Sequence, residues 1–287
     1  MTPFFTTLIE PGQLRERLAA EPATTVSIEA SFDLADPDAG ERGWREGHLP
    51  GSLYLHLEHD LSGAKTSRNG RHPLPERKVF AALLGRCGIR PETQVVALDR
   101  QGGVYAARLW WMLRWIGHAA VAVLDGGVAA WTRTGGALTT EVPACASAAP
   151  YPERESLAPT IDAAALARRL GRTPLIDARA GERFRGEVEP LDRVAGHIPG
   201  ALNRFFKHNL DAQASRFKPA AQLRAEFEAL IGIDPSAVAL TVHQCGSGVT
   251  ACHNLLAMEH AGLAGSVLYP GSWSEWASDP SRPVARG

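Results

Sequence analysis

Short apolar runs alternate with amphipathic stretches along much of this chain. Val95-Val96-Ala97-Leu98 precedes a helical pattern over 104–116, and Val121-Ala122-Val123-Leu124 precedes another over 126–131. Further on, a helical stretch at 161–170 leads into Leu175-Ile176-Asp177. A helix at 220–231, an apolar run from Ala237 to Val242 that reads as a strand, and a helix at 250–260 continue the alternation. Strands alternating with helices of this length predict βα units around a mostly parallel sheet, an α/β fold.

The pattern occurs twice. His48-Leu49-Pro50-Gly51-Ser52 returns as His197-Ile198-Pro199-Gly200-Ala201, an offset of 149 residues. Ile28-Glu29-Ala30 returns as Ile176-Asp177-Ala178 at 148, and Asp125-Gly126-Gly127 with Trp131 returns as Pro270-Gly271-Ser272 with Trp276 at 145. Matches in one order at nearly constant spacing imply two copies of one domain. The stretch 141–159 holds four prolines and no periodicity, so it reads as a linker between domains at 1–140 and 160–287.

Composition adds little. The 287 residues are 45% apolar and 21% charged, ordinary for a globular protein of two domains. A net charge of −1 gives no reason to expect nucleic acid, and no stretch approaches the roughly 20 apolar residues of a membrane span. Residues 1–10 have no basic region, so no secretory signal is expected and a cytoplasmic setting is. Cys87, Cys145, Cys245 and Cys252 are too thinly spread for a disulfide framework, and a reducing compartment leaves an exposed-turn cysteine as a thiol.

The most pointed chemistry lies at Cys245-Gly246-Ser247-Gly248-Val249-Thr250-Ala251. A cysteine that ends a strand on a glycine-rich turn opening a helix meets converging backbone N–H groups, which stabilise a thiolate. Aligning the copies on Gly103-Val104 and Gly248-Val249 puts Arg100 opposite Cys245, so the first copy lacks the thiol. Cys252 lies seven residues on, inside the helix, where core packing is its expected role, and nothing marks Cys87 or Cys145 for chemistry.

A tandem α/β duplication with this cysteine loop in its second copy resembles the two-domain rhodanese family of sulfurtransferases. Both His-x-Pro-Gly turns, Asp177-Ala178-Arg179, Arg183-Phe184 and Gly271-Ser272-Trp273-Ser274-Glu275-Trp276 carry the likeness as well. The resemblance implies two rhodanese-like domains. It also implies a double displacement in which Cys245 takes sulfur from a small donor, becomes a persulfide and passes the sulfur on. The acceptor would be a small thiol, a thioredoxin-like protein, or cyanide in an assay; no cofactor or metal is implied. Thiosulfate-type members carry basic residues just after the cysteine, whereas Gly246 and Ser247 stand here, so the chain looks like the 3-mercaptopyruvate class, with thiosulfate open.

In such relatives the serine matching Ser247 joins a histidine and an acid of the first domain in handling protons. Here His72, in Arg71-His72-Pro73-Leu74-Pro75, supplies the histidine from a loop able to reach beyond its own domain. The acid is Glu58 or Asp60, which period-2 spacing would turn to one side together. The backbone of Gly246, Gly248, Val249 and Thr250, with Arg183, would hold the donor anion, since arginine's fork suits a carboxylate. Arg193 lies near a second family arginine. Arg179 is expected in a structural ion pair and Arg185 at the surface, Trp111 and Trp115 in packing, and Trp273 and Trp276 as walls of the pocket.

Other readings meet specific obstacles. A cysteine phosphatase needs an arginine six residues after its nucleophile, and Ala251 stands there. A thiol oxidoreductase wants a nearby resolving cysteine, and C-x-x-C is absent. His243, Cys245, Cys252 and His253 lack zinc spacing. A sulfur carrier fed by another enzyme would keep Cys245 and stays open as the non-turnover alternative.

Overall fold

The computed structural model describes residues 4–144, 149–213 and 215–287; Cys145 lies outside them. The chain forms two compact units. The first comprises residues up to Gly63, Pro75–Leu157 and Ala212–Phe217; the second comprises Ala64–Leu74, Ala158–Asp211 and Lys218–Gly287.

The first unit is built on β1 (Leu8–Ile9), β2 (Thr25–Glu29), β3 (Leu53–Tyr54), β4 (Gln94–Leu98) and β5 (Val121–Leu124). They form a parallel sheet in the order β1-β5-β4-β2-β3. Helices α1 (Pro11–Ala20), α2 (Ala39–Glu46), α3 (Arg77–Arg86), α4 (Ala106–Trp115) and α5 (Gly127–Arg133) complete it. All of β4 and β5 is buried, as strands covered on both faces must be, which is why both read as unbroken apolar runs. Leu14, Val96, Leu98, Ala122, Val128 and Trp131 form one core cluster. Trp111 stacks on Trp115 at 6.2 Å, so this pair packs as expected. Within 141–159 the chain bonds back to the unit, with Tyr151 N–H on the Ala81 carbonyl and Leu157 N–H on that of Arg114, both 2.9 Å.

The second unit repeats the plan with β6 (Leu175–Asp177), β7 (Leu202–Asn203), β8 (Val242–Gln244) and β9 (Val267–Leu268), parallel in the order β7-β6-β8-β9. Its helices are α6 (Ala163–Ala167), α7 (Gly181–Phe184), α8 (Ala220–Ile231), α9 (Pro235–Leu240), α10 (Thr250–His260) and α11 (Ser272–Trp276). The run expected as a strand from Ala237 divides instead: it is helical to Leu240 and extended only from Val242. A short continuous apolar run carries no period to choose between the two states, and Pro235 favours a helical start. Trp273 and Trp276 are fully buried in the core with Leu166, Leu175 and Val242, so they are not pocket walls. Their indole N–H groups bond the carbonyls of Val194 and Pro283, each at 2.9 Å.

The two sheets correct the alignment of the copies. Ala30 N–H bonds the Leu98 carbonyl, and Ala178 N–H bonds that of Gln244. The next residues are therefore equivalent, so Asp99, not Arg100, corresponds to Cys245. Val128 N–H to Asp99 and Trp273 N–H to Cys245 repeat the match. The first loop needs two more residues to reach its helix, which slides an alignment on Gly-Val by one. Arg100 instead spans Glu29 (2.7 Å) and the carbonyls of Gly43 and Gly47.

Candidate active site

Cys245 follows β8 and stands on the loop 245–249 that opens α10. Its side chain is 2% exposed, and its sulfur accepts the Gly248 N–H at 3.1 Å. Gly248 has φ +77°, and a Cβ there would lie 2.3 Å from the Pro270 carbonyl oxygen, so only glycine lets the loop close over the sulfur. The loop is stapled to the turn before α11. Cys245 N–H donates to Ser272 Oγ (3.1 Å), while the carbonyls of Cys245 and Gly246 accept from the N–H groups of Trp273 (2.9 Å) and Ser274 (3.0 Å).

Ser272, part of the repeated motif, has a role at the site that its sequence context does not assign. It has φ +54°, the one non-glycine residue among those described in the left-handed region. Its hydroxyl also donates to the Tyr269 carbonyl at 3.0 Å, so the strained residue's side chain is held both as acceptor and as donor. The signal was present: the first copy has Gly127 at this place, with φ +56°.

Ser247 and His72 do come together, Oγ to Nδ1 at 2.8 Å, both buried. His72 lies on Ala64–Leu74, a segment of the second unit itself. Glu58 and Asp60 belong to the first unit. They stand on a turn, with Asp60 N–H and Leu61 N–H both bonding the His56 carbonyl, so the extended spacing expected to align them does not exist. Asp60 Oδ2 accepts the His56 N–H at 2.8 Å.

Arg183, at the end of α7, is held by Glu189 (2.6 Å) and more loosely by Asp192 (3.4 Å). Its Nη1 and Nη2 lie 3.6 and 3.7 Å from where a Cβ on Gly246 would stand. Arg71, which no local pattern marks, comes closer: its Nη2 lies 2.8 Å from that position. Arg193 is exposed and lines, with Arg71, Asp192 and Ser274, a hollow of about 430 Å³. Arg179 makes its expected ion pair with Asp177 at 2.7 Å, stacked over Trp273, and Arg185 pairs with Glu187 at the surface. Val249 is buried and Thr250 begins α10.

Burial sets the charge states behind the loop. His243, two residues before Cys245, has its pKa pushed down to about 3, so it is neutral at pH 7. Burial raises the Glu275 carboxyl above its ordinary range. Cys252 Sγ approaches the Gly248 carbonyl at 3.4 Å, inside the helix as expected. Among the described residues, no group of three or more His, Cys, Asp or Glu side chains is placed to hold a metal ion.

The family model for the rhodanese-like domain matches residues 10–134 and again 162–279. The chain belongs to the rhodanese family and carries two such domains. It is 46% identical to a probable 3-mercaptopyruvate sulfurtransferase of Pseudomonas aeruginosa, over 98% of each chain. It is 36% identical to a putative thiosulfate sulfurtransferase, SseB, of Mycobacterium tuberculosis, over 98% of this chain and 97% of that one. The crystal structure of SseA from Escherichia coli, described as a 3-mercaptopyruvate sulfotransferase, superposes with a TM-score of 0.78 at 28% identity, over 94% of this chain and 99% of that one. This protein is accordingly a sulfurtransferase, working between a small sulfur donor and an acceptor. No helix among the described residues is long and apolar enough to cross a membrane.

Proposed function

We propose that this enzyme takes sulfur from 3-mercaptopyruvate onto Cys245 and delivers it to a thiol. The thiolate of Cys245 attacks the donor sulfur; the carbon–sulfur bond breaks, its electron pair leaving as the enolate of pyruvate. A proton then reaches the enolate carbon, and the hydrogen-bonded pair Ser247–His72 is the group we assign to carry it. An acceptor thiolate attacks the outer sulfur of the Cys245 persulfide and regenerates the Cys245 thiolate. The carrying observation is the Gly248 N–H on Cys245 Sγ, inside a loop whose own side chains are uncharged. Gly246, Val249 and Thr250 add backbone N–H groups, and Arg183 holds the donor carboxylate.

Thiosulfate is the alternative donor, consistent with the name of the mycobacterial relative. The acid assisting His72 is Glu58 or Asp60, which Glu58→Gln and Asp60→Asn distinguish by their loss of kcat. We further propose Arg193 as an outer anion contact, a domain boundary within 141–159 (between the two family matches), a small thiol or thioredoxin-like acceptor, and a cytoplasmic setting.

The test is kcat/KM for 3-mercaptopyruvate against thiosulfate, with hydrogen sulfide and pyruvate release followed in the presence of a thiol. A higher value for 3-mercaptopyruvate is expected, and Cys245→Ser should remove turnover with either donor. Activity near wild type in that variant would overturn the mechanism, and release of a single equivalent of sulfur would identify a carrier instead.

A further inference from the structure

Every residue of α10 from Ala251 to Met258 is buried, so the helix has no single apolar stripe to set its rotation and axial position. Two of those residues are polar, His253 and Asn254, and both meet Asn209, equally buried, on the short 3-10 helix Phe206–Asn209. Asn209 Nδ2 donates to Asn254 Oδ1 at 2.6 Å and to His253 Nδ1 at 3.1 Å, which uses both hydrogens of its amide. Arg204, a donor only, holds Asn209 Oδ1 at 3.1 Å and so fixes which way the amide faces. Asn254 Nδ2 returns a bond to the Arg204 carbonyl at 2.9 Å, and Glu226 pins the Arg204 guanidinium at 2.6 Å. The first copy ties the same place by other means. Arg108 stands five residues after Gly103 as His253 stands five after Gly248, and it donates to the Leu61 carbonyl, beyond β3, at 3.4 Å.

We propose that Asn209 and His253 are positioning residues for sulfur transfer. By fixing the place of α10 they hold Gly248, at its head, with its N–H on the Cys245 sulfur, and so stabilise the thiolate and the persulfide. This rests on Cys245 as the nucleophile in the function proposed above. The path from network to thiol is short: Cys252, next to His253, sets its sulfur 3.4 Å from the Gly248 carbonyl, and the Gly248 N–H meets Cys245 Sγ at 3.1 Å. Apolar contacts tolerate a small slide of the helix, because they have no preferred direction. The bonds of Asn209 do not, since a bent or lengthened bond leaves buried polar atoms unmet. The same slide would turn the Gly248 N–H off the sulfur, so a lock on the helix is a lock on the thiolate's donor.

The pH dependence of Cys245 alkylation by iodoacetamide, followed on its own peptide by mass spectrometry, reads the thiolate in the full chain without any sulfur donor. His253→Leu and Asn209→Ala should each raise the midpoint by about one pH unit and lower kcat/KM for 3-mercaptopyruvate about 10-fold. His253→Asn puts an amide oxygen near the lost Nδ1 and should restore most of both. Asp162→Ala is the control. It strips the cap of α6, where Asp162 Oδ1 accepts the Ala165 N–H at 2.7 Å, and should destabilise the same unit while leaving the midpoint at the wild-type value. A midpoint unchanged in folded His253→Leu or Asn209→Ala, or an equal rise in Asp162→Ala, overturns the proposal. If one of the two network variants fails to fold, the other decides. Absence of turnover in wild type, or activity retained by Cys245→Ser, would instead sink the function proposed above, and the alkylation midpoints still answer for the network alone.

Discussion

The loops that follow β4 and β8 occupy the same place in two copies of one fold and do opposite things. After β4, the Asp99 carboxylate accepts four backbone N–H groups of its own loop: Gln101 and Gly103 on Oδ1, Tyr105 and Ala106 on Oδ2, at 2.8–3.0 Å. After β8 the equivalent residue is Cys245, and the Gly248 N–H points at its sulfur. A strand ending before a buried helix creates a nest of N–H groups whichever residue stands there. The first copy fills the nest with a fixed anion and is closed. The second places a nucleophile in it, and the amides that stabilise a carboxylate in one copy are available to a thiolate or persulfide in the other.

Exchanging the residues should break that contrast most visibly. Cys245→Asp is expected to fold, to melt no lower than wild type, and to lose activity by about four orders of magnitude or more, as removal of a nucleophile does. A collapse of the melting temperature would mean that the two nests are not equivalent. Next in size is Asp99→Ala, which strands four N–H donors on a buried loop. A loss of roughly 2–4 kcal/mol in denaturant unfolding is expected, with turnover per folded molecule little changed. A loss below about 0.5 kcal/mol would show the first loop is held by something else.

Ser272 sharpens the comparison, since its counterpart Gly127 adopts the same left-handed backbone without strain. Ser272→Gly should relieve about 1 kcal/mol of strain while removing the acceptor of the Cys245 N–H. Stability should therefore change by less than about 1 kcal/mol, while kcat falls several-fold because the loop is less well fixed. An unchanged kcat would make the hydroxyl irrelevant to the site.

The smallest expected effect is on pH dependence, and here the two units agree. His118 in the first has its pKa lowered to about 4 and His243 in the second to about 3, both mainly by burial. The unfolded chain binds protons near pH 6.5 that the folded one refuses, so stability is full above that value. It declines as pH falls towards 4 and 3. His243→Gln should flatten the decline between pH 6.5 and 4.5 in denaturant titrations; an equal slope would place the effect elsewhere.

Much of this was legible in the residues. Val121–Leu124, Leu175–Asp177, Ala220–Ile231 and Thr250–His260 form the elements their patterns predicted, because burial on a 2- or 3.6-residue period, or on both faces, leaves a local mark. The cysteine loop was legible because glycine spacing and a strand–helix junction are local too. The strand expected from Ala237 failed where no period existed. The pairing of Arg100 with Cys245 failed because loops of unequal length hide the equivalence of Asp99, which sheet register restores.

The sequence by itself determined the duplicated α/β plan, the single cysteine loop and its lack of charge, since each is written in contiguous residues. Only the tertiary structure decided that Asp99 fills the first nest, that Ser272 bears the strain beside Cys245, and that Ser247 meets His72 across 175 positions. It also decided that Arg71 brings a guanidinium to Gly246. Those facts depend on chain segments far apart in sequence being pressed together by core packing and backbone hydrogen bonds, and no short-range pattern records which distant side chain will fill a given space.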